Sequence, residues 1–306
     1  MKHILLFITI ILVFCSCRQD NHDEGTHSMY YWSTTFSMDS TKTNFMRENK
    51  VKKLYVRYFD VVTDASGKLM PNATISFQSR IPRNVEVVPT VFIVNECMYR
   101  NTDSLAQKIL KRILQMDETN DIYGVKEIQI DCDWTLKTEK KYFDFLAQLR
   151  QLTKEKGLSL SATIRLHQLA QSVPPVDRGI LMMYNTGDFT DFNCKRPILD
   201  MKDVAPYLKH IGRYGLSLSA AYPIFSWKLL FRGRRFIGII HQNGELPVLP
   251  TDTVVTRTPS VADILAAKNA LNNINKNINK EIILFDLNSY NVKRFKQNDY
   301  KKIYSN

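Results

Sequence analysis

The sequence predicts one (β/α)₈ barrel, and three observations carry that reading. Strand-like and helix-like segments alternate from Met29 to Tyr290, a span close to the ~250 residues usual for such a barrel. The hexapeptide Gly157-Leu-Ser-Leu-Ser-Ala162 recurs unchanged as Gly215-Leu-Ser-Leu-Ser-Ala220, each copy after a helical segment, with a strand-like run, Ile180–Tyr184, between them. Alternate strands of a barrel fill the same interior layers, so the copies suit strands five and seven, serines inward and leucines toward the helices. Finally, no Gly-rich turn follows any strand, so neither a P-loop nor a dinucleotide fingerprint favours the alternative, a doubly wound open sheet.

In chain order, Lys2 precedes an apolar run from Ile4 to Phe14, followed by Cys15-Ser16-Cys17. The run is shorter than the ~20 residues needed to span a bilayer but suits a signal-peptide core. It resembles a bacterial lipoprotein signal over residues 1–17, with Cys17, after the small Ser16, as the lipidated residue. A non-lipidated secretory signal is the alternative. Residues 18–28, rich in Asp, Asn and His, read as a flexible tether, residues 29–290 as the barrel and 291–306 as a basic tail. The resulting expectation is an exported protein anchored by lipid in a bacterial envelope, at the outer membrane.

Met29–Ser33, Lys53–Asp60 and Glu86–Val94 read as the first three strands. Leu105, Ile109, Ile113 and Met116 recur at helical spacing behind a cap at Thr102 or Asp103. Strand four lies in Gly124–Trp134. A helix over 138–156, striped by Tyr142, Phe145, Leu146, Leu149 and Leu152, is closed by Gly157. After strand seven, residues 222–241 read as a β-hairpin turning at Gly233 and inserted over the rim. A helix over 260–271, opened by a Ser260/Asp263 capping box, leads to strand eight at Ile282–Leu287.

The net charge is +12, from 42 basic and 30 acidic residues. The basic residues do not gather into one nucleic-acid motif; the densest groups are Arg232-Gly-Arg-Arg235 and Lys293-Arg294 with Lys296. No nucleic-acid partner is expected. Solvated faces, anionic lipid headgroups or acidic polysaccharide account for the charge. Beyond the signal, Cys97, Cys132 and Cys194 lack zinc-type spacing. Cys132 reads as a buried small hydrophobe, and a Cys97–Cys194 disulfide stays open. No metal or organic cofactor is indicated.

Strand four concentrates the chemistry. Ile128, Ile130 and Cys132 alternate with Gln129, Asp131 and Asp133, placing two carboxylates on one face, ~6.6–6.8 Å apart along the backbone. There each raises the other's pKa, which suits a protonated general acid. Asp133 is the expected acid and Asp131 its tuning partner. Trp134 adds an indole beside them. Arg165, ending strand five on the inward parity, is expected to bind substrate or to bridge Asp131 or Asp133. Glu96, after strand three, is a candidate second carboxylate. Asp60, Asp188 and Asp286 are further rim candidates. Tyr222 and Trp227 could stack on a sugar ring or pack the hairpin.

Gln129-Ile-Asp-Cys-Asp133 resembles the fourth-strand Asp-x-Asp-x-Glu of family-18 chitinase-like glycosidases, and Met182-Met-Tyr-Asn185 resembles that family's sixth-strand Met-x-Tyr-Asp. Ile128–Asp133 and the Leu-Ser-Leu-Ser-Ala162 run are also similar to a family of bacterial lipoproteins in the same glycosidase superfamily. The chain departs by Gln129 for the first Asp, Asp133 for the catalytic Glu, and Asn185 for the last Asp. The resemblance implies a barrel with a carbohydrate cleft in which Asp133 donates the proton while Tyr184 and Asn185 orient the sugar. The expected function is to act on or bind a glycan; the alternative is a non-catalytic, carbohydrate-binding or scaffolding lipoprotein.

Overall fold

The computed structural model describes residues 25–241 and 245–305. The expected signal and Cys17 lie outside this range. Eight parallel strands form the barrel: β1 (Thr26–Tyr31), β2 (Lys53–Thr63), β3 (Glu86–Ile93), β4 (Glu127–Asp131), β5 (Ser159–Arg165), β6 (Arg178–Met182), β7 (Leu218–Pro223) and β8 (Glu281–Phe285). β1 pairs with β8 in the register Thr26↔Glu281 and with β2 in the register Ser28↔Lys53, which closes the ring. β6 lies between the two hexapeptide strands, pairing with both.

The two-residue period sorts the side chains. Leu160 and Ala162 of β5, with Leu218 and Ala220 of β7, join the cluster beneath the helices. Ser161 and Thr163 are fully buried between them on the other face. A separate interior cluster holds Tyr30, Tyr55, Val88, Ile180, Met182 and Ile283 among others. The second serine of each copy, Ser161 and Ser219, is buried as the repeat predicts, whereas the first, Ser159 and Ser217, lies at or before the strand start and stays half-buried or exposed.

Among the described residues, six helices flank the strands: α1 (Ser40–Glu48), α2 (Leu105–Thr119), α3 (Glu139–Glu155), α4 (Met201–Ile211), α5 (Val261–Ile274) and α6 (Gln297–Tyr304). Asp39 caps α1 by accepting from Lys42 N, and Ser260 with Asp263 forms the expected box before α5. Gly157 ends the α3 region with φ +71°. The N-cap of α2 is Ser104 rather than Thr102 or Asp103. Two connections lack an α-helix. After β2 the chain folds back as Leu69–Asn72, antiparallel to β2, and after β5 it makes a short 3₁₀ turn, Leu166–Ala170.

Two expected boundaries change. β1 begins at Thr26, and Ser28 is fully buried, so residues 26–28 belong to the barrel and not to a tether. The basic tail is structured: Tyr300, Ile303 and Tyr304 of α6 are buried, Tyr304 stacks on His27, and its hydroxyl donates to Ser28 O at 3.1 Å. Beyond β7, Trp227–Arg232 pairs antiparallel with Arg235–Ile239 and, on its other edge, with Asp252–Arg257. The latter strand has no counterpart in the sequence reading.

The N-terminal end of the barrel is closed by ions. Glu281 accepts from Ser28 Oγ (2.7 Å), Tyr55 OH (2.9 Å) and Arg178 Nη2 (2.6 Å). Glu127 accepts from Lys53 Nζ (3.0 Å) and Arg178 Nε (3.1 Å). Burial opposes the charge on Glu281, but Arg178 and Lys53 hold its carboxyl below the ordinary range.

Candidate active site

The C-terminal rim carries a cleft of about 460 Å³, within the 300–1,000 Å³ usual for small-molecule sites. Among the residues singled out from the sequence, Asp131, Arg165, Tyr184, Asn185, Trp227 and Asp286 line it. Each reaches the rim for a local reason. Asp131 ends β4 on the parity of Gln129, and Arg165 ends β5 on that of Thr163. Asn185 turns the chain after β6 with φ 57°, a left-handed conformation that Asn tolerates better than most residues.

Arg165 organises the polar wall. Its Nη2 donates to Asp131 Oδ1 at 3.0 Å and its Nε to Asp133 Oδ1. Thr163 Oγ1 also donates to Asp131 Oδ1, at 2.6 Å. Burial pushes the Asp131 carboxyl up, against the pull of Arg165 and with help from Asp133. Burial likewise opposes the charge on Arg165, but the two carboxylates hold the guanidinium protonated well beyond its ordinary range. Below them Tyr30 OH donates to Gln129 Oε1 at 2.8 Å.

Asp133, the expected acid, is not among the residues that line the cleft. Its side chain is 58% exposed and accepts a hydrogen bond from Arg165. That contact is the salt bridge considered as the alternative for Arg165. Asp286 is different: it is half-buried in the cleft wall, accepts from Asn291 Nδ2, and desolvation raises its carboxyl to about 6.

An aromatic wall faces these groups. Tyr184 lies 5.3 Å from Phe285 and 5.7 Å from Phe225, which in turn lies 5.5 Å from Trp227 (ring centroids). Tyr184 OH donates to Met182 Sδ, and burial pushes its phenol well above the ordinary range.

Three expected site residues lie elsewhere. Trp134 is fully buried, 5.1 Å from Phe143 of α3, three residues past the end of β4 and in the core beneath the helices. Tyr222 is fully buried on the helix side and donates to Asn279 Oδ1 at 2.7 Å. Glu96 is exposed in a 3₁₀ turn outside the cleft lining. Asp60 pairs with Arg57, and Asp188 folds onto Thr190 in an exposed turn. Cys97, Cys132 and Cys194 are free thiols, so Cys97 and Cys194 do not pair. Conversely, Trp32, Phe92, Phe225, His241 and Asn291 line the cleft without any motif to announce them.

No family profile and no curated protein matches the chain. Solved structures do resemble it. A chitinase from Chromobacterium violaceum superimposes with a TM-score of 0.60 at 11% identity, covering 91% of this chain and 98% of that one. A GH18 chitinase mutant from Cycas revoluta, solved with (GlcNAc)4, gives 0.59 at 12% identity, covering 91% and 98%. The Bacillus cereus spore cortex-lytic enzyme SleL gives 0.57 at 12%, covering 91% of this chain and 73% of SleL. The fold is therefore a TIM-type (β/α)₈ barrel. Within that class its likeness is to family-18 chitinase-like barrels, at identities that speak to fold alone.

Proposed function

We infer that the chain is a glycan-binding barrel, held at a bacterial envelope membrane through a lipidated Cys17, and that its rim cleft receives a glycan containing N-acetylglucosamine. The ligand class comes from the chitinase-like neighbours, one of them crystallised with (GlcNAc)4. The observation that carries binding over hydrolysis is Arg165 bonded to both Asp131 and Asp133. A general acid must present its proton within hydrogen-bond reach of the leaving oxygen. Asp133 instead accepts from a guanidinium through Oδ1 and is not among the residues that line the cleft. The cleft keeps what binding needs: Trp227 and Phe225 offer ring faces to the apolar C–H face of a sugar, while Asp131, Arg165 and Asn185 offer polar partners.

A second reading, slow hydrolysis, is favoured by one observation. Asp286 is a half-buried cleft carboxyl raised to about 6, close to the operating pH that a general acid or base requires. Titrating the full chain with chitooligosaccharides, while measuring released reducing ends, separates the two. Under the binding reading, oligosaccharide binds without new reducing ends, and Trp227→Ala weakens it by ~1–2 kcal/mol, on the order of tenfold, while Tm is kept. Turnover abolished by Asp286→Asn establishes the second reading. Turnover abolished by Asp133→Asn in a folded protein refutes the argument from Arg165. No binding and no cleavage of any such glycan removes both.

A further inference from the structure

The barrel has a second concave site, outside the rim cleft, created by a missing helix. Each strand of such a barrel presents an apolar outer face that a helix normally covers. Between β2 and β3 there is none; the chain returns instead as the ribbon Leu69–Asn72. The space between that ribbon and α2 remains open as a groove of about 550 Å³. Its floor is apolar: Phe59 and Val61 from β2, Leu69 and Met70 from the ribbon, and Ile109 from α2. Met70 is 42% exposed there.

The rim of the groove is cationic. Lys68, Arg100, Lys108, Lys111 and Arg112 line it, against one carboxylate, Asp103. None of the five forms a salt bridge among the described residues. Arg112 stacks over the Phe59 ring at 5.1 Å and reaches Thr74 Oγ1 at 2.9 Å, yet its Nε is buried without a hydrogen-bond partner. Gly67, with φ +80°, turns the chain tightly under Arg100, whose Cζ would lie 3.4 Å from a Cβ there. At the base of the barrel Arg178 and Lys53 are each held by carboxylates. Here the chain leaves a cluster of cations beside exposed hydrocarbon.

We propose that this groove binds an anionic phospholipid, the phosphate held among Arg100, Lys108 and Lys111 and an acyl chain laid over Phe59, Leu69 and Met70. Charge complementarity selects the anion, and the apolar floor selects an amphiphile over a bare polyanion. The site is independent of the glycan reading, since it shares no lining residue with the rim cleft.

The test is calorimetric titration of the full chain with three probes: monomeric dihexanoyl phosphatidylglycerol, dihexanoyl phosphatidylcholine and inorganic phosphate. Saturable binding of the phosphatidylglycerol, tighter than of either other probe, is expected. Changing Arg100, Lys108 and Lys111 together to Gln should weaken it on the order of 100-fold, given the attraction each basic residue exerts on an anionic headgroup. The matched surface change Lys209→Gln with Lys276→Gln should leave it unaltered. Met70→Gln, at an exposed position, should weaken phosphatidylglycerol but not phosphate, and it keeps the test alive if the triple variant fails to fold. Equal affinity for phosphatidylcholine, equal affinity for phosphate, or a triple variant that binds like wild type would each overturn the assignment.

Discussion

Replacing Arg165 with methionine removes the guanidinium that joins Asp131 to Asp133, and the two contacts should not count equally. The Asp133 side chain is 58% exposed; exposed ion pairs contribute roughly 0–1 kcal/mol. Asp131 has only 6% of its side chain exposed. Removing one partner of a buried pair costs roughly 3–5 kcal/mol, because the other charge is left uncompensated. The Asp131 term therefore dominates, and it has a pH signature. Burial already raises the Asp131 carboxyl, and Arg165 is the largest influence opposing that rise. In the variant the carboxyl climbs further. A carboxyl whose folded pKa exceeds its unfolded value supports folding at low pH and loses that support as pH rises through the folded pKa. The stability gap between wild type and Arg165→Met should thus widen as pH rises and narrow as pH falls and Asp131 takes up its proton. Thermal unfolding of both proteins at neutral and at mildly acidic pH measures it, with a Tm loss of roughly 10 °C anticipated at the higher pH. A gap that ignores pH, or an Asp133→Asn variant as unstable as Arg165→Met, would refute this ordering of the two contacts.

Three further outcomes are expected. Asp286, raised to about 6 by burial, should stabilise the fold below pH 4 relative to pH 7; Asp286→Asn should flatten that slope, read as Tm against pH. Gly179→Ala should cost ~1–3 kcal/mol by overpacking, since a Cβ there would meet Leu218 Cδ2 at 2.8 Å and Ile164 Cγ1 at 2.9 Å; an unchanged urea midpoint would contradict that packing. Cys17→Ser should abolish acyl labelling and membrane retention, whereas Cys15→Ser should not; continued labelling of the Cys17 variant assigns the anchor elsewhere.

The barrel was legible because its strands are short apolar runs with a clean two-residue period, and because one hexapeptide repeats at equivalent positions. That same period already excluded one proposed ligand contact. Tyr222 shares the parity of Leu218 and Ala220, so it belongs to the helix side, and Trp134, three residues past the end of β4, joins the same core. Asp131, Arg165 and Tyr184 were readable because each ends or follows a strand. Trp32, Phe225 and Asn291 were not, since they reach the cleft from loops that only tertiary packing brings together. The strand Asp252–Arg257 is largely exposed, so burial imposes no apolar alternation on it. The ions at the base sit at strand starts, where a polar residue reads as the end of a strand. Their pairing across the barrel leaves no local trace, as with Tyr55 and Glu281, 226 residues apart.

The closure of β1 against β8, with α6 fastened to β1 by Tyr304, has a consequence for how the molecule is made. Ser28 and Tyr304 are 276 residues apart in sequence yet share a hydrogen bond. Sequential neighbours such as β4 and β5 can pair as soon as both exist, but the seam cannot form before the eighth strand is synthesised. Until then β1 presents an unpaired edge, with its row of open amide and carbonyl groups. Joining segments so distant is entropically costly and slow. Synthesis should therefore pass through an open, incomplete sheet that is vulnerable to proteolysis and strand exchange, and nascent chains arrested before Glu281 should lack the protease resistance of the closed ring.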